Sequence, residues 1–170
     1  KVANLAPIRE TLAAGILDIA RIYPDTQLYD PFCGSGTFLI EAAYKAKNIA
    51  PGIYRRFAAE KWDSLPSKIW QTSREEAIEK IRKDIEFTAV GSDISQDSLE
   101  IAEANARRAG ISGLIRLETE DVKNFTIPDR KSLVVTNPPY GERLMNGEDL
   151  TKLYQTMGNV FQPSQQTAYY

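Results

Sequence analysis

Residues 132 to 143 read S-L-V-V-T-N-P-P-Y-G-E-R, and the break inside that stretch decides the fold. Leu133, Val134 and Val135 form a short apolar run, rich in β-branched residues, as expected of a strand covered on both faces of a parallel sheet. Pro138 and Pro139 end it. Neither can donate to a sheet ladder, and Asn137, standing before a proline, is pushed toward an extended conformation. An amide and the phenol of Tyr140 are thus expected at the carboxyl-terminal lip of a buried strand. Taken alone, the stretch fits equally a strand leaving through a proline-rich turn, with Asn137 as a turn former and Tyr140 as a half-buried anchor.

Working outward, short apolar runs alternate with helical patterns, which argues for a parallel α/β sheet with helices on both faces. Strands are expected at Q-L-Y-D (27–30), F-T-A-V-G-S-D (87–93), I-R-L-E-T-E-D (115–121) and S-L-V-V-T-N (132–137), with Q-T-A-Y-Y (166–170) opening a fifth. A helix over 9–22 carries apolar positions Leu12, Ile16 and Ile19 and is stopped by Pro24. A second, over 96–109, takes Ser95 as its N-cap, Leu99, Ala102, Ala106 and Ala109 as its apolar stripe, and Gly110 as its stop. Between residues 45 and 88 the spacing lengthens, predicting a helix-containing insertion that carries Arg55, Arg56, Trp62 and Trp70. Both tryptophans are expected to anchor a small hydrophobic subdomain. Arg107 and Arg108 are read as a solvated helix face.

Composition narrows what such a sheet can do. With 170 residues, 42% hydrophobic and 26% charged, the chain reads as one domain with an adequate core. It holds one cysteine, Cys33, and no histidine, so an internal disulfide and a histidine general base are excluded and a zinc site is disfavoured. No run approaches the roughly 18 apolar residues of a membrane span, and a reducing, cytoplasmic location fits. A net charge of −2 provides no global field for nucleic acid, so any such contact falls to local arginines or another domain. The chain is read as a fragment, truncated at the C-terminal strands.

The first strand turns into a helix through D-P-F-C-G-S-G-T, residues 30–37. Gly34 and Gly36 allow close backbone approach, and the helix amino end is expected to present N–H groups to an anionic ligand. Neither the P-loop pattern nor the nicotinamide fingerprint is present. Instead, carboxylates stand at three strand tips: Asp30, Asp93 and Asp121. In an open parallel sheet these tips share one edge with Asn137 and converge on one crevice. There Asp93 suits a ribose diol and Asp121 an adenine amino group. Each aspartate alone is more simply a turn former; their order along the chain gives them meaning together. A ribose, an adenine and an amino-acid carboxylate, held without a phosphate-gripping lysine, point to S-adenosylmethionine.

D-P-F-C-G-S-G-T, G-S-D, E-D-V and N-P-P-Y resemble, in order, the cofactor and catalytic motifs of amino-group methyltransferases acting on nucleobases. Together with N-I-A-P-G-I-Y-R-R-F-A-A-E-K-W (48–62) and N-P-P-Y-G-E-R-L (137–144), the chain resembles the THUMP-associated RNA methyltransferases, notably large-subunit ribosomal RNA guanine-N2 methyltransferases. The resemblance implies a Rossmann-like class I fold and a THUMP domain elsewhere in the full-length protein. It places Asp30, Phe32, Cys33 and Gly34 on the methionine side, Asp93 and Ile94 at the ribose, and Asp121 with Val122 at the adenine. Thr11, in A-P-I-R-E-T-L, would sit in the helix that closes over the methionine. Asn137, Pro138, Pro139 and Tyr140 would be the catalytic turn, with Tyr140 and Arg143 meeting the RNA. For Cys33 a role as a small buried hydrophobe is the simpler reading, and for Arg143 a surface ion pair is equally simple. Adenine N6 in RNA or DNA is the near alternative target; a glutamine amide, or a non-catalytic cofactor-binding module, is more distant.

Overall fold

A computed structural model describes residues 7–126, 128–140 and 147–170. In chain order the main elements are α1 (Glu10–Ala20), β1 (Gln27–Asp30), α2 (Thr37–Lys47), α3 (Ser67–Glu79), β2 (Thr88–Asp93), α4 (Gln96–Arg108), β3 (Ile115–Thr119), β4 (Ser132–Val134), α5 (Gly147–Val160) and β5 (Thr167–Tyr169). The strands pair in parallel in the order β3-β2-β1-β4-β5. From β1 the chain steps outward to β3, then returns to lay β4 on the other side of β1. Strand order therefore reverses between β1 and β4, and a reversal of this kind opens a crevice at the carboxyl ends of the two strands.

Two of the expected strands end sooner than the sequence suggested. β3 stops at Thr119 and β4 at Val134, although the chain beyond each remains tied to its neighbour. The Val135 amide donates to the Tyr29 carbonyl (3.0 Å) and the Thr136 amide to the Tyr170 carbonyl (3.2 Å). Pairing cannot pass Pro138, which has no N–H.

One face of the sheet is covered by α2 and α4, with α1 packed on α2. Leu17, Leu28, Leu39, Phe87, Ala89, Leu99 and Ile111 belong to this buried core. α4 buries Leu99, Ala102 and Ala106, as its pattern foretold, and the Ser95 hydroxyl caps it by accepting from the Ser98 amide. The stripe expected on α1 is corrected. Ala13, Leu17 and Ala20 are buried, whereas Leu12 and Ile19 are exposed and Ile16 is only partly covered. The covered face is displaced by one residue, about 100° around the helix. Alanines at 13 and 20 let α1 approach the alanine-rich side of α2, and that packing outweighs the larger aliphatics one position away. α1 runs parallel to α2, since Asp18 pairs with Lys45 (2.6 Å) and Glu10 lies near Glu41.

The opposite face carries an aromatic chain not foreseen in the sequence. Tyr29, Phe125, Phe161 and Tyr169 contact one another in series, with successive ring centroids 6.1, 5.6 and 5.6 Å apart. The segment between residues 45 and 88 holds α3, and Trp70 of that helix packs against Phe57. Trp62 does not: it is 60% exposed, which corrects the expectation that both tryptophans would be anchors. Phe57 fills the place beside Trp70 instead.

Candidate active site

Asp30 ends β1, directly beside β4, and is 2% exposed. Its Oδ1 accepts from the Thr136 hydroxyl (2.6 Å) and the Phe32 amide (3.2 Å). Burial is the main reason that its carboxyl is pushed up to about 7; the two hydrogen bonds pull it down, and Asp93 nearby adds a small upward push. Among the described residues it has no ion-pair partner. Thr136 immediately precedes Asn137, so one short hydrogen bond ties the tip of β1 to the root of the N-P-P-Y turn.

Around Gly34 and Gly36 the backbone donors turn inward. Gly34 N–H donates to Asp93 Oδ2 (3.1 Å), Cys33 N–H to the Ser92 carbonyl (3.0 Å) and Gly36 N–H to the Cys33 carbonyl (2.8 Å). These donors are spent inside the protein, because a loop this tight satisfies its own backbone first. The first-turn amides of α2, Thr37 to Leu39, remain the orphan donors of that helix. Gly34 and Gly36 both have positive φ (51° and 81°), which keeps a side chain out of the turn. The Asn105 side chain fixes the loop from outside by donating to the Ser35 carbonyl (3.1 Å).

Asp93, at the end of β2, is half-buried and accepts from Gly34 on one oxygen and from the Ser95 amide on the other (2.9 Å). Each carboxylate oxygen has a further lone pair for a ligand hydroxyl. Ile94 beside it is 74% exposed, an apolar surface set on the rim. Asp121 caps the short turn Val122–Asn124, its Oδ1 accepting from the Lys123 amide (3.0 Å) and its Oδ2 pairing with the Lys123 ammonium (3.0 Å). Those bonds, the amide first, hold its carboxyl below the usual range. Val122, the first residue of that turn, is buried.

Cys33 is a core residue. Burial pushes its thiol far above the ordinary range, which leaves it inert. It packs on Gly91, paired with Asp30 in the neighbouring strand. A Cβ at Gly91 would meet Leu39 Cδ1, and Cys33 Cβ at 2.9 Å. The glycine lets the loop sit directly on the sheet. Gly91→Ala is expected to lower stability by about 1–3 kcal/mol and to weaken cofactor binding by shifting the loop; urea unfolding with parallel cofactor titration checks both.

Thr11 lies exposed on the first turn of α1, at the same end of the sheet as the start of α2. Asn137, Pro138 and Pro139 are half-buried, and Tyr140 is 59% exposed. The Asn137 amide makes no hydrogen bond to another described residue. Tyr154 of α5, unnoticed in the sequence, reaches the same turn, its hydroxyl donating to the Pro139 carbonyl (3.4 Å). Arg143 lies outside the described residues. Asp30, the glycine loop, Asp93 and Asn137 are thus gathered at one end of the sheet; Asp121 and Val122 lie farther along that end, beyond β3. Among the described residues no cluster of histidine, cysteine, aspartate or glutamate is suited to a metal ion, and no helix is long and apolar enough to cross a membrane. The residues that sequence reading missed are Thr136, Gly91, Asn105 and Tyr154. Only Gly91 left a trace, as a glycine inside a strand, where it marks close backbone approach.

An open parallel sheet, a glycine loop seated on its second strand, a half-buried aspartate at the tip of that strand and an amide-bearing proline turn at the switch point form the Rossmann-like architecture of methyltransferases whose methyl donor is S-adenosylmethionine. The donor set fits that cofactor: a carboxylate for hydroxyls, an uncompensated buried carboxylate for a cation, and a turn in which side chains are excluded. The chain belongs to the RMKL-like methyltransferase-domain family, whose model matches residues 1–168. It is 42% identical to "Putative RNA methyltransferase YpsC" of Bacillus subtilis (strain 168) over 93% of this chain, and 43% identical to a "Ribosomal RNA large subunit methyltransferase K/L" of Psychromonas ingrahamii over 94%. The chain spans 41% of the first and 22% of the second. Among solved structures, the one titled "Crystal structure of SMU.472, a putative methyltransferase complexed with SAH" superposes with a TM-score of 0.91 at 37% identity, covering 96% of this chain and 43% of that one.

Proposed function

We propose that this domain transfers a methyl group from S-adenosylmethionine to an exocyclic amino group of an RNA base, with guanine N2 of large-subunit ribosomal RNA as the target. The carrying observation is the Asn137 amide, unpartnered among the described residues and moored beside Asp30 through Thr136. When bound, the cofactor supplies an electrophilic methyl on a sulfonium. An aromatic exocyclic amine is a poor nucleophile, because its lone pair is delocalised into the ring. The Asn137 side-chain carbonyl and the Pro138 backbone carbonyl accept its two N–H bonds and hold the nitrogen in line for attack. Tyr140, exposed beside them, stacks on the extruded base.

On the cofactor side, Asp93 accepts from the ribose hydroxyls, with Ile94 covering the nucleoside, and Asp121 takes the adenine end. Asp30 balances the ammonium of the methionine portion, with Phe32, Cys33 and Gly34 shaping the floor and Thr11 closing from α1. Arg143 meets the RNA, and a THUMP domain in the longer protein selects the site. The names of the two relatives, "Putative RNA methyltransferase YpsC" and "Ribosomal RNA large subunit methyltransferase K/L", support RNA as the substrate.

The full-length protein, given tritium-labelled cofactor with total RNA, DNA and protein, is expected to label RNA, and digestion is expected to yield N2-methylguanosine. N6-methyladenosine would move the target to adenine, which presents the same pair of N–H bonds. Label confined to DNA or protein, or no label, would reject the RNA reading.

A further inference from the structure

The strip from Tyr54 to Trp62 takes no part in the crevice. It follows the end of α2 remote from the glycine loop, a helix whose 11 residues run about 16 Å. The strip is nevertheless held in place. Glu60 accepts from the Phe57 amide (2.8 Å) and pairs with Arg74, and Arg74 also donates to the Arg55 carbonyl (2.9 Å). Phe57 stacks on Trp70 with centroids 5.8 Å apart and planes at 21°, and the Arg55 guanidinium lies 5.7 Å over the Phe57 ring. Trp70 Nε1 is buried there without a hydrogen-bond acceptor among the described residues, a destabilising feature that the fold nonetheless keeps.

These staples present an unusual surface. Tyr54 is 82% exposed and Trp62 60%, and Arg55, Arg56 and Lys61 all face solvent between them. The acid within the strip, Glu60, is neutralised by Arg74. A chain of net charge −2 thus carries a locally cationic strip with an aromatic ring near each end.

We propose that this strip is a second grip on the substrate, binding single-stranded RNA outside the crevice. The proposal rests on the reading of the chain as an RNA methyltransferase and names how the substrate is held away from the reacting base. A guanidinium matches a phosphate in shape and charge, and a tyrosine or tryptophan face accepts any base. A polynucleotide single strand repeats that alternation of anion and ring along its length. A protein partner would need a matching row of acids, whereas every nucleotide of a single strand brings its own anion.

The test is fluorescence anisotropy of a labelled, mixed-sequence single-stranded RNA titrated with the full-length protein between about 50 and 200 mM salt. Arg55→Ala/Arg56→Ala is expected to weaken binding about tenfold or more and to make the log–log salt slope shallower by about 1.4, two phosphate contacts on a single strand. Arg56→Ala alone, which leaves the Arg74–Glu60 pair and the Phe57–Trp70 stack in place, should account for about half of that change in slope. Trp62→Ala should cost about fivefold or more through lost stacking. Cofactor affinity should stay at the wild-type value in all three, which reports an intact crevice. Wild-type affinity and slope in the arginine variants would overturn the proposal, and so would a lowered melting temperature with unchanged RNA binding, the signature of a strip covered by another part of the protein. Failure of the wild-type protein itself to bind RNA would reject the RNA reading, and the strip with it.

Discussion

Asn137→Ala is expected to lower the rate of methyl transfer by about 10²–10³-fold while leaving cofactor affinity within about twofold of wild type, since one preorganised group at a reacting centre is worth that much. The amide stands on the strand's extension, clear of the glycine loop, so its loss should not disturb the loop's own hydrogen bonds. On the proposed function, truncating it removes an acceptor that fixes the target nitrogen, an interaction that counts in the transition state and little elsewhere. Single-turnover transfer measured alongside cofactor titration separates the two effects. A variant that loses cofactor binding in proportion to rate would place Asn137 in the fold of the crevice rather than in the chemistry.

The second large effect belongs to Asp30 and depends on pH. Its carboxyl titrates near 3.8 when exposed and is pushed up to about 7 here, chiefly by burial. A carboxyl whose folded value is raised holds its proton more tightly in the folded chain. The contribution of Asp30 to stability is then greatest below about pH 4, declines as pH rises toward 7, and stays at the lower level above. A shift of this size corresponds to about 4 kcal/mol. Asp30→Asn has no proton to lose, so the stability of the variant minus that of wild type is expected to climb by about that amount between pH 4 and 8 in urea unfolding. A flat difference would mean that the ionised carboxylate is not costly at this site. On the proposed function, the same variant should bind S-adenosylmethionine poorly at pH 8. Wild-type binding should tighten as pH rises through 7, because the charged carboxylate is the form that an ammonium prefers. On that reading, the ionised carboxylate opposes folding and is kept for binding.

Much of this was legible before any coordinates. Gly34 and Gly36 following Asp30, the prolines after Asn137, and the spacing of Leu99, Ala102 and Ala106 are local signals, and local signals report local backbone and burial. The acidic tips could be put on one edge because parallel strands connected by helices leave their carboxyl ends together. Where the reading failed, the deciding partner was distant. Leu12, Ile16 and Ile19 make as good a stripe as Ala13, Leu17 and Ala20; α2 chose between them by admitting the smaller side chains. Trp62 and Trp70 look alike as letters, but only one faces Phe57. Nothing local showed that the Gly34 amide would donate to Asp93, 59 positions away.

By itself, then, the amino-acid order determined which segments become strands, where each turns, and which side chains stand at the turns, because periodicity, proline and glycine act over a few residues. Only the tertiary structure decided that Asp30 would be dry, that Thr136, 106 positions later, would bind it, and that the carboxyl would titrate near neutrality. Desolvation depends on what every surrounding element brings to the site, and β4 reaches β1 only after the chain has gone out to β3 and come back.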